Sequence, residues 1–288
     1  MDIVKVAAVH CRVVKSVLWD EFKRELLWVN IPAGRIYGLD CSTHVRREWQ
    51  LPDQVASIGL ADDGRLVVAM PSGVYLFDRI TEQLTFLVDP EPSQAPNRPT
   101  NRLNDGKVGP DGAFWVGSIH PGASTAGLYR VKSDGSVQRK ISGLEVSNGL
   151  GFTGDGRTMF HSDSRLCWID RYDLDPDTGE LSNRTRIAEP GEAVGRPDSA
   201  AVDVQGQYWS AGVSAGVLNC FSRDGVLVRS IPVPPKHPTT ICFGGEDMRS
   251  LYFGSARRPE GATDDCGDVF MMRVDVPGVP IGRFQTAG

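Results

Sequence analysis

Short apolar runs alternate with glycine- and aspartate-rich turns along the whole chain. Leu66-Val67-Val68 follows Asp63-Gly64, and Phe114-Trp115-Val116 follows Asp111-Gly112. Met159-Phe160 follows Asp155-Gly156, and Tyr208-Trp209 follows Gln205-Gly206. Two looser copies place Asp20-Glu21 before Leu26-Leu27-Trp28-Val29 and Glu246-Asp247 before Leu251-Tyr252-Phe253. Apolar runs either side of such turns read as β-hairpins. The glycines at 64, 112, 156 and 206 are spaced 48, 44 and 50 residues apart. Each copy has a second strand, usually opened by glycine, as in Gly73-Val74-Tyr75-Leu76 and Gly127-Leu128-Tyr129-Arg130. No stretch carries the three-and-four apolar spacing of a long helix. A repeat of roughly 40–50 residues built only of short strands is the signature of a propeller blade. The expectation is an all-β, six-bladed β-propeller with a central channel, one domain over residues 1–288. The first strand of copy one is placed near Val4–Val14, and the N-terminal segment closes the ring against strands near Val269–Val274.

The repeat supplies a register. Trp19, Leu60, Val108, Phe152, Val202 and Phe243 end the inner strands, and four positions earlier stand Lys15, Ala56, Asn104, Asn148, Asp198 and Thr239. Propeller blades run their first strand along the channel, so these positions form a ring. Four of the six are strongly polar, and burying such groups unpaired costs roughly 1–3 kcal/mol each. They must bind one another, water, a metal or a ligand. Two positions further back on the same strand face stand Arg102, Arg196 and His237. The channel mouth is predicted to hold Lys15, Asn104, Asn148, Asp198, Arg102, Arg196 and His237.

Composition narrows the partners. The 31 basic and 36 acidic residues give a net charge of −5 without a basic stripe, which argues against nucleic acid. No apolar run is long enough to span a membrane, and no signal peptide is legible, so a cytoplasmic protein with a small-molecule partner is expected. A monomer or weak homo-oligomer fits the same picture. Six scattered cysteines without a CxxC pair read as reduced and packed in strands.

Other features are secondary. His10, out of phase with Lys15, is assigned to packing. The proline-rich stretch Pro90–Pro99 reads as a rigid approach loop. The loops 118–126 and 257–268 are candidate lids, the first offering His120 as a substrate contact. Asp173–Gly179 has alternating aspartates but lacks the glycine and glutamate of a calcium loop, so it reads as a turn. No chemistry is legible in the last dozen residues.

Several motifs occur in one order: Trp19-Asp20, Trp28-Val29-Asn30-Ile31, Arg102-Leu103-Asn104-Asp105-Gly106-Lys107, Ser147-Asn148-Gly149, Arg196-Pro197-Asp198-Ser199 and Cys242-Phe243-Gly244-Gly245. In these the chain resembles the senescence-marker-protein, gluconolactonase and regucalcin family, over nearly its whole length. The resemblance implies a propeller that hydrolyses sugar lactones around a divalent metal (Ca, Zn, Mn, Mg or Fe) bound by a glutamate, an asparagine and an aspartate. Asn148 and Asp198 match the last two ligands. Asp198 also matches the general base, and Arg102 and Asn104 match substrate contacts.

The chain departs from that family at one point. Where the family carries Gly-Glu-Gly-Pro, this chain has Val14-Lys15-Ser16-Val17, so Lys15 replaces the metal-binding glutamate. Three consequences stay open. The Lys15 ammonium stands in for the cation and pairs with Asp198; or Lys15 is neutral and acts as a base or nucleophile; or it swings out and a weaker metal site persists on Asn148 and Asp198. The leading reading is a lactone hydrolase with Asp198 as general base, Lys15 or a metal polarising the carbonyl, and Arg102, Asn104, Arg196 and His120 on the substrate. The alternative is a non-hydrolytic relative that holds a sugar acid or small anion through Lys15, Arg102 and Arg196.

Overall fold

The computed structural model describes residues 2–92, 101–120, 122–259 and 261–286. Among these, 24 strands form six four-stranded antiparallel sheets. Strand β1 (Ile3–Ala7) comes first. Blade one is β2 (Val14–Asp20), β3 (Glu25–Asn30), β4 (Arg35–Asp40) and β5 (Arg46–Gln50); blade two is β6 (Ser57–Leu60), β7 (Leu66–Met70), β8 (Gly73–Phe77) and β9 (Leu84–Val88). Blade three is β10 (Arg102–Val108), β11 (Phe114–Ile119), β12 (Ala126–Val131) and β13 (Val137–Leu144). Blade four is β14 (Ser147–Phe152), β15 (Thr158–Asp163), β16 (Trp168–Leu174) and β17 (Leu181–Ala188). Blade five is β18 (Pro197–Val202), β19 (Tyr208–Gly212), β20 (Val217–Phe221) and β21 (Leu227–Pro232). Blade six is β22 (Pro238–Gly244), β23 (Ser250–Ser255), β24 (Val269–Arg273) and, as its outermost strand, β1.

The ring closes through the N-terminal segment, but the first inner strand is not where the pattern put it. Ile3 pairs with Met272 and Lys5 with Phe270, so this segment belongs to blade six. Blade one opens only at Val14. Alternation alone cannot tell an inner strand from an outer one; the partner strand decides. His10 lies in the link between the two. It is exposed rather than packed, with φ 47°, and its ring Nδ1 stands 3.4 Å from Asp268.

The turns repeat in geometry as well as in sequence. Gly64, Gly112, Gly156 and Gly206 all have positive φ, and each donates its N–H to the carbonyl three residues earlier. Glycine reaches this left-handed region without the Cβ penalty. In blades one and six, Arg24 (φ 52°) and Met248 (φ 55°) take that conformation, which is why these two turns carry a weaker glycine signal.

The core consists of wedges between neighbouring blades. Leu27, Val29 and Ile36 of blade one meet Ile58, Leu66 and Val68 of blade two in one cluster, and Phe160 and Ile169 of blade four meet Tyr208 and Phe221 of blade five in another. The C-terminal tail, which offered no legible chemistry, crosses the end of the channel opposite the Lys15 side. Val279 donates to Val202 O, Phe284 to Leu60 O and Gln285 to Gly112 O, and Phe284 is fully buried.

The Asp175 side chain accepts the N–H groups of Asp177 and Thr178, so the 173–179 stretch is a hairpin turn between β16 and β17. Most of the Pro90–Pro99 stretch lies outside the described residues. No helix is long and apolar enough to cross a membrane among the described residues.

Candidate active site

Five inner strands carry a β-bulge at the same height. The ladder register shifts between Lys15 and Leu18, Leu103 and Gly106, Asn148 and Gly151, Pro197 and Ala200, and Pro238 and Thr240. A bulge leaves residues unpaired and re-aims their side chains. Blade two has no such shift in its inner pair and contributes Ala56 and Ser57. The blades that bring charge to the axis are thus bulged ones.

Lys15 is the hub. Its Nζ donates to Asn148 Oδ1 at 2.9 Å, to Ser199 Oγ at 2.6 Å and to Asp198 Oδ1, with Asp105 Oδ1 at 3.5 Å. The side chain is 5% exposed, so these bonds lie out of water. Asn148 Oδ1 also accepts from Asn104 Nδ2 at 3.2 Å, and Asn148 Nδ2 donates to Ser164 Oγ at 2.7 Å. Asp105 accepts from Ser199 Oγ at 2.7 Å and from the Gly149 N–H at 3.1 Å. Gly149 has φ 67°, and a Cβ there would stand 2.2 Å from Ser162 Oγ, so only glycine supplies this N–H without displacement.

Burial works against the Lys15 ammonium more than any other single influence. Asp105 and Asp198 together outweigh it and hold the pKa above the usual lysine value. Lys15 is therefore a cation at neutral pH, which removes the neutral-amine reading. Burial pushes the Asp198 carboxyl up, with Lys15 pulling the other way. A level deeper, Lys107 donates to Ala200 O at 2.6 Å, and burial pulls its pKa down.

Above the hub opens a cavity of about 530 Å³. Lys15, Arg102, Asn104, Asn148, Asp198 and Thr239 line it, with Arg12, Arg257 and Arg258 at the rim. Six ring or mouth residues expected from the repeat thus meet around one space. Arg196, His237 and His120 do not line it. Arg196 precedes β18 and is half-buried, with its backbone N–H on Ser214 Oγ. His237 turns its ring Nδ1 to within 3.3 Å of Val213 O. His120 is buried, its backbone N–H tied to Glu145 O. The 257–268 loop does reach the mouth, through Arg257, Arg258 and Pro259.

Asp105 and Ser199 escaped sequence reasoning. Each directly follows a ring residue, and strict strand alternation would aim it away from the axis. Only the bulges bring both neighbours inward. The signal available was a polar pair in place of a polar–apolar alternation, Asn104-Asp105 and Asp198-Ser199.

The family of SMP-30/Gluconolactonase/LRE-like regions matches residues 14–257. The chain belongs to this family. A 6-deoxy-6-sulfogluconolactonase of Pseudomonas putida is 37% identical, with 91% of each chain covered. A pentonolactonase of Haloferax volcanii is 29% identical, with 97% of each covered. Among solved structures, a protein of Agrobacterium tumefaciens described as a calcium-binding protein, regucalcin, superposes with a TM-score of 0.89 at 23% identity, covering 98% of this chain and 97% of that one. At that identity the likeness is one of fold.

The donor set of this SMP-30/gluconolactonase-family member does not fit a divalent cation. No group of three or more His, Cys, Asp or Glu side chains converges on a metal position among the described residues. The oxygens of Asn148 and Asp198 that would face a metal are bonded to the Lys15 ammonium instead. A dication about 4 Å from that ammonium is repelled by roughly 8 kcal/mol at an effective dielectric of 20. Asn148 and Asp198 are thus partners of Lys15 here.

Proposed function

We propose that this chain hydrolyses small sugar lactones in the central channel, with the Lys15 ammonium as the resident cation. The observation that carries the reading is the Lys15–Asp198–Asn148 cluster at the floor of a lined cavity. The relatives' names support the substrate class and divide on its charge: one lactone is sulfonated, the other is a plain pentonolactone.

Asp198 Oδ1 is held by Lys15, while its second oxygen makes no hydrogen bond to a described residue and takes the proton of the attacking water. Water adds to the carbonyl carbon and the carbonyl oxygen becomes an oxyanion. An ammonium has three hydrogens, and Asn148, Asp198 and Ser199 already use three. To reach the oxyanion, Lys15 must trade one. Ser199 is the cheapest to release, because its Oγ keeps its bond to Asp105. Arg102, whose one hydrogen bond to a described residue is a 3.4 Å contact to Leu103 O, stands further out at the mouth and takes no part at the carbonyl. The ring C–O bond then breaks, and Asp198 returns the proton to the leaving oxygen, giving the open hydroxy acid.

The test is hydrolysis of gluconolactone and pentonolactones by the purified chain, with and without EDTA. Turnover that EDTA leaves intact is the expected result. No turnover of any lactone overturns the hydrolase reading, and turnover abolished by EDTA overturns the role given to Lys15.

A further inference from the structure

The mouth of the cavity is far more positive than the protein that carries it. The chain as a whole has a net charge of −5. Yet Arg12, Lys15, Arg102, Arg257 and Arg258 line this one space, against a single carboxylate among the described residues, Asp198. Lys15 is spent on the hub. The four arginines form no ion pair with a carboxylate among the described residues.

Their placement is built rather than incidental. The Arg257 N–H donates to Arg12 O at 2.9 Å, and Val13 bridges to Ala256, so the two rim segments lie side by side. Arg258 is close enough for its charge to act on Asp198. Arg102 stands two residues outward from Asn104 on β10, roughly 6.7 Å along the strand. It is half-buried, and among the described residues its guanidinium makes only the 3.4 Å contact to Leu103 O. A desolvated guanidinium with open donors at the wall of a cavity is a site for an anion, which it can grip bidentately.

A neutral lactone leaves these cations unused. We infer that the substrate is a lactone carrying a second, permanently anionic group, such as a phosphate, sulfonate or carboxylate at the end of the sugar chain remote from the carbonyl. This rests on the hydrolase reading for the position of the carbonyl at the hub. Arg102 holds the remote anion, and Arg12, Arg257 and Arg258 draw it in from solvent.

The experiment has a kinetic and a binding arm. Hydrolysis of gluconolactone is compared with that of its 6-phosphate and 6-sulfonate analogues at low and high ionic strength. At low salt the anionic lactones should show kcat/KM at least roughly tenfold higher, and the advantage should shrink as salt screens the rim. Arg102→Gln, and separately the pair Arg257→Gln and Arg258→Gln, should each cut the anionic-to-neutral ratio. Equal kcat/KM for neutral and anionic lactones, or a ratio that no arginine variant moves, overturns the inference and leaves the hydrolase reading intact. Calorimetry with gluconate and 6-phosphogluconate, which are not turned over, separates the two claims. Tighter binding of the phosphorylated acid without turnover of any lactone supports the charge selectivity and overturns the hydrolase reading. Equal binding of the two acids overturns the charge selectivity.

Discussion

Lys15 and Asn148 stand 133 residues apart, on the inner strands of blades one and four, and are joined by a 2.9 Å hydrogen bond across the channel. The bond spans the axis at the floor of the cavity that both residues line. It makes the hub of this propeller a buried ion cluster with an organic cation at its centre.

Lys15→Glu should turn that cluster into a divalent-cation site. The substitution removes the cation and sets a third carboxylate beside Asp105 and Asp198, whose mutual repulsion destabilises the metal-free fold. The melting temperature should fall without metal and recover by roughly 5 °C or more in calcium or manganese at saturating levels. The wild-type chain should respond to neither ion. A wild-type rise as large as the variant's would show that the ammonium does not hold the cation position.

Gly149→Ala should damage the site through the backbone. Gly149 has φ 67°, and a Cβ there would stand 2.2 Å from Ser162 Oγ and 2.3 Å from the Tyr208 hydroxyl. Relief requires the bulge to move, which takes the Gly149 N–H off Asp105. A loss of roughly 1–3 kcal/mol in urea denaturation, with a fall in lactone turnover, is expected.

Stability should fall on mild acidification because of His161. Burial pulls its pKa from 6.5 down to about 3. Below pH 6.5 the unfolded chain takes up a proton that the folded chain refuses. The contribution is therefore complete above about pH 6.5 and lost progressively toward pH 3, to the extent of a few kcal/mol. Urea midpoints measured across that range should slope downward with acid, and His161→Gln should flatten the slope.

Phe284→Ala should loosen the tail that crosses the channel end opposite Lys15. Phe284 is fully buried among residues of blades two and three, including Val67, Val108 and Phe114. Truncating a buried phenylalanine costs roughly 3–5 kcal/mol. A thermal shift smaller than a surface substitution produces would show that the tail is not part of the packed structure.

Much of the wheel was legible in the chain, and particular residues show why. The turn glycines 64, 112, 156 and 206 mark the hairpins, because only glycine enters the left-handed region freely. Blades one and six were fainter for the same reason, since Arg24 and Met248 occupy that conformation instead. The ring of Lys15, Asn104, Asn148 and Asp198 followed from counting back along equivalent strands. Arg196 and His237, two residues further out, did not follow the count. Strand geometry ends near those positions, and a register argument carries no further than the strand.

What the sequence by itself determined was local and repetitive: strand, turn, strand, six times over, with a lysine among the polar positions that meet at the axis. Side-chain alternation and backbone sterics act over a few residues, so they survive in the linear pattern. The tertiary structure alone decided that blade one opens only at Val14, that the C-terminal tail packs across the channel end opposite Lys15 and that Asp105 and Ser199 turn inward beside Lys15. Each of these depends on which distant strand or side chain lies opposite, and on bulges whose aim is set by packing between blades.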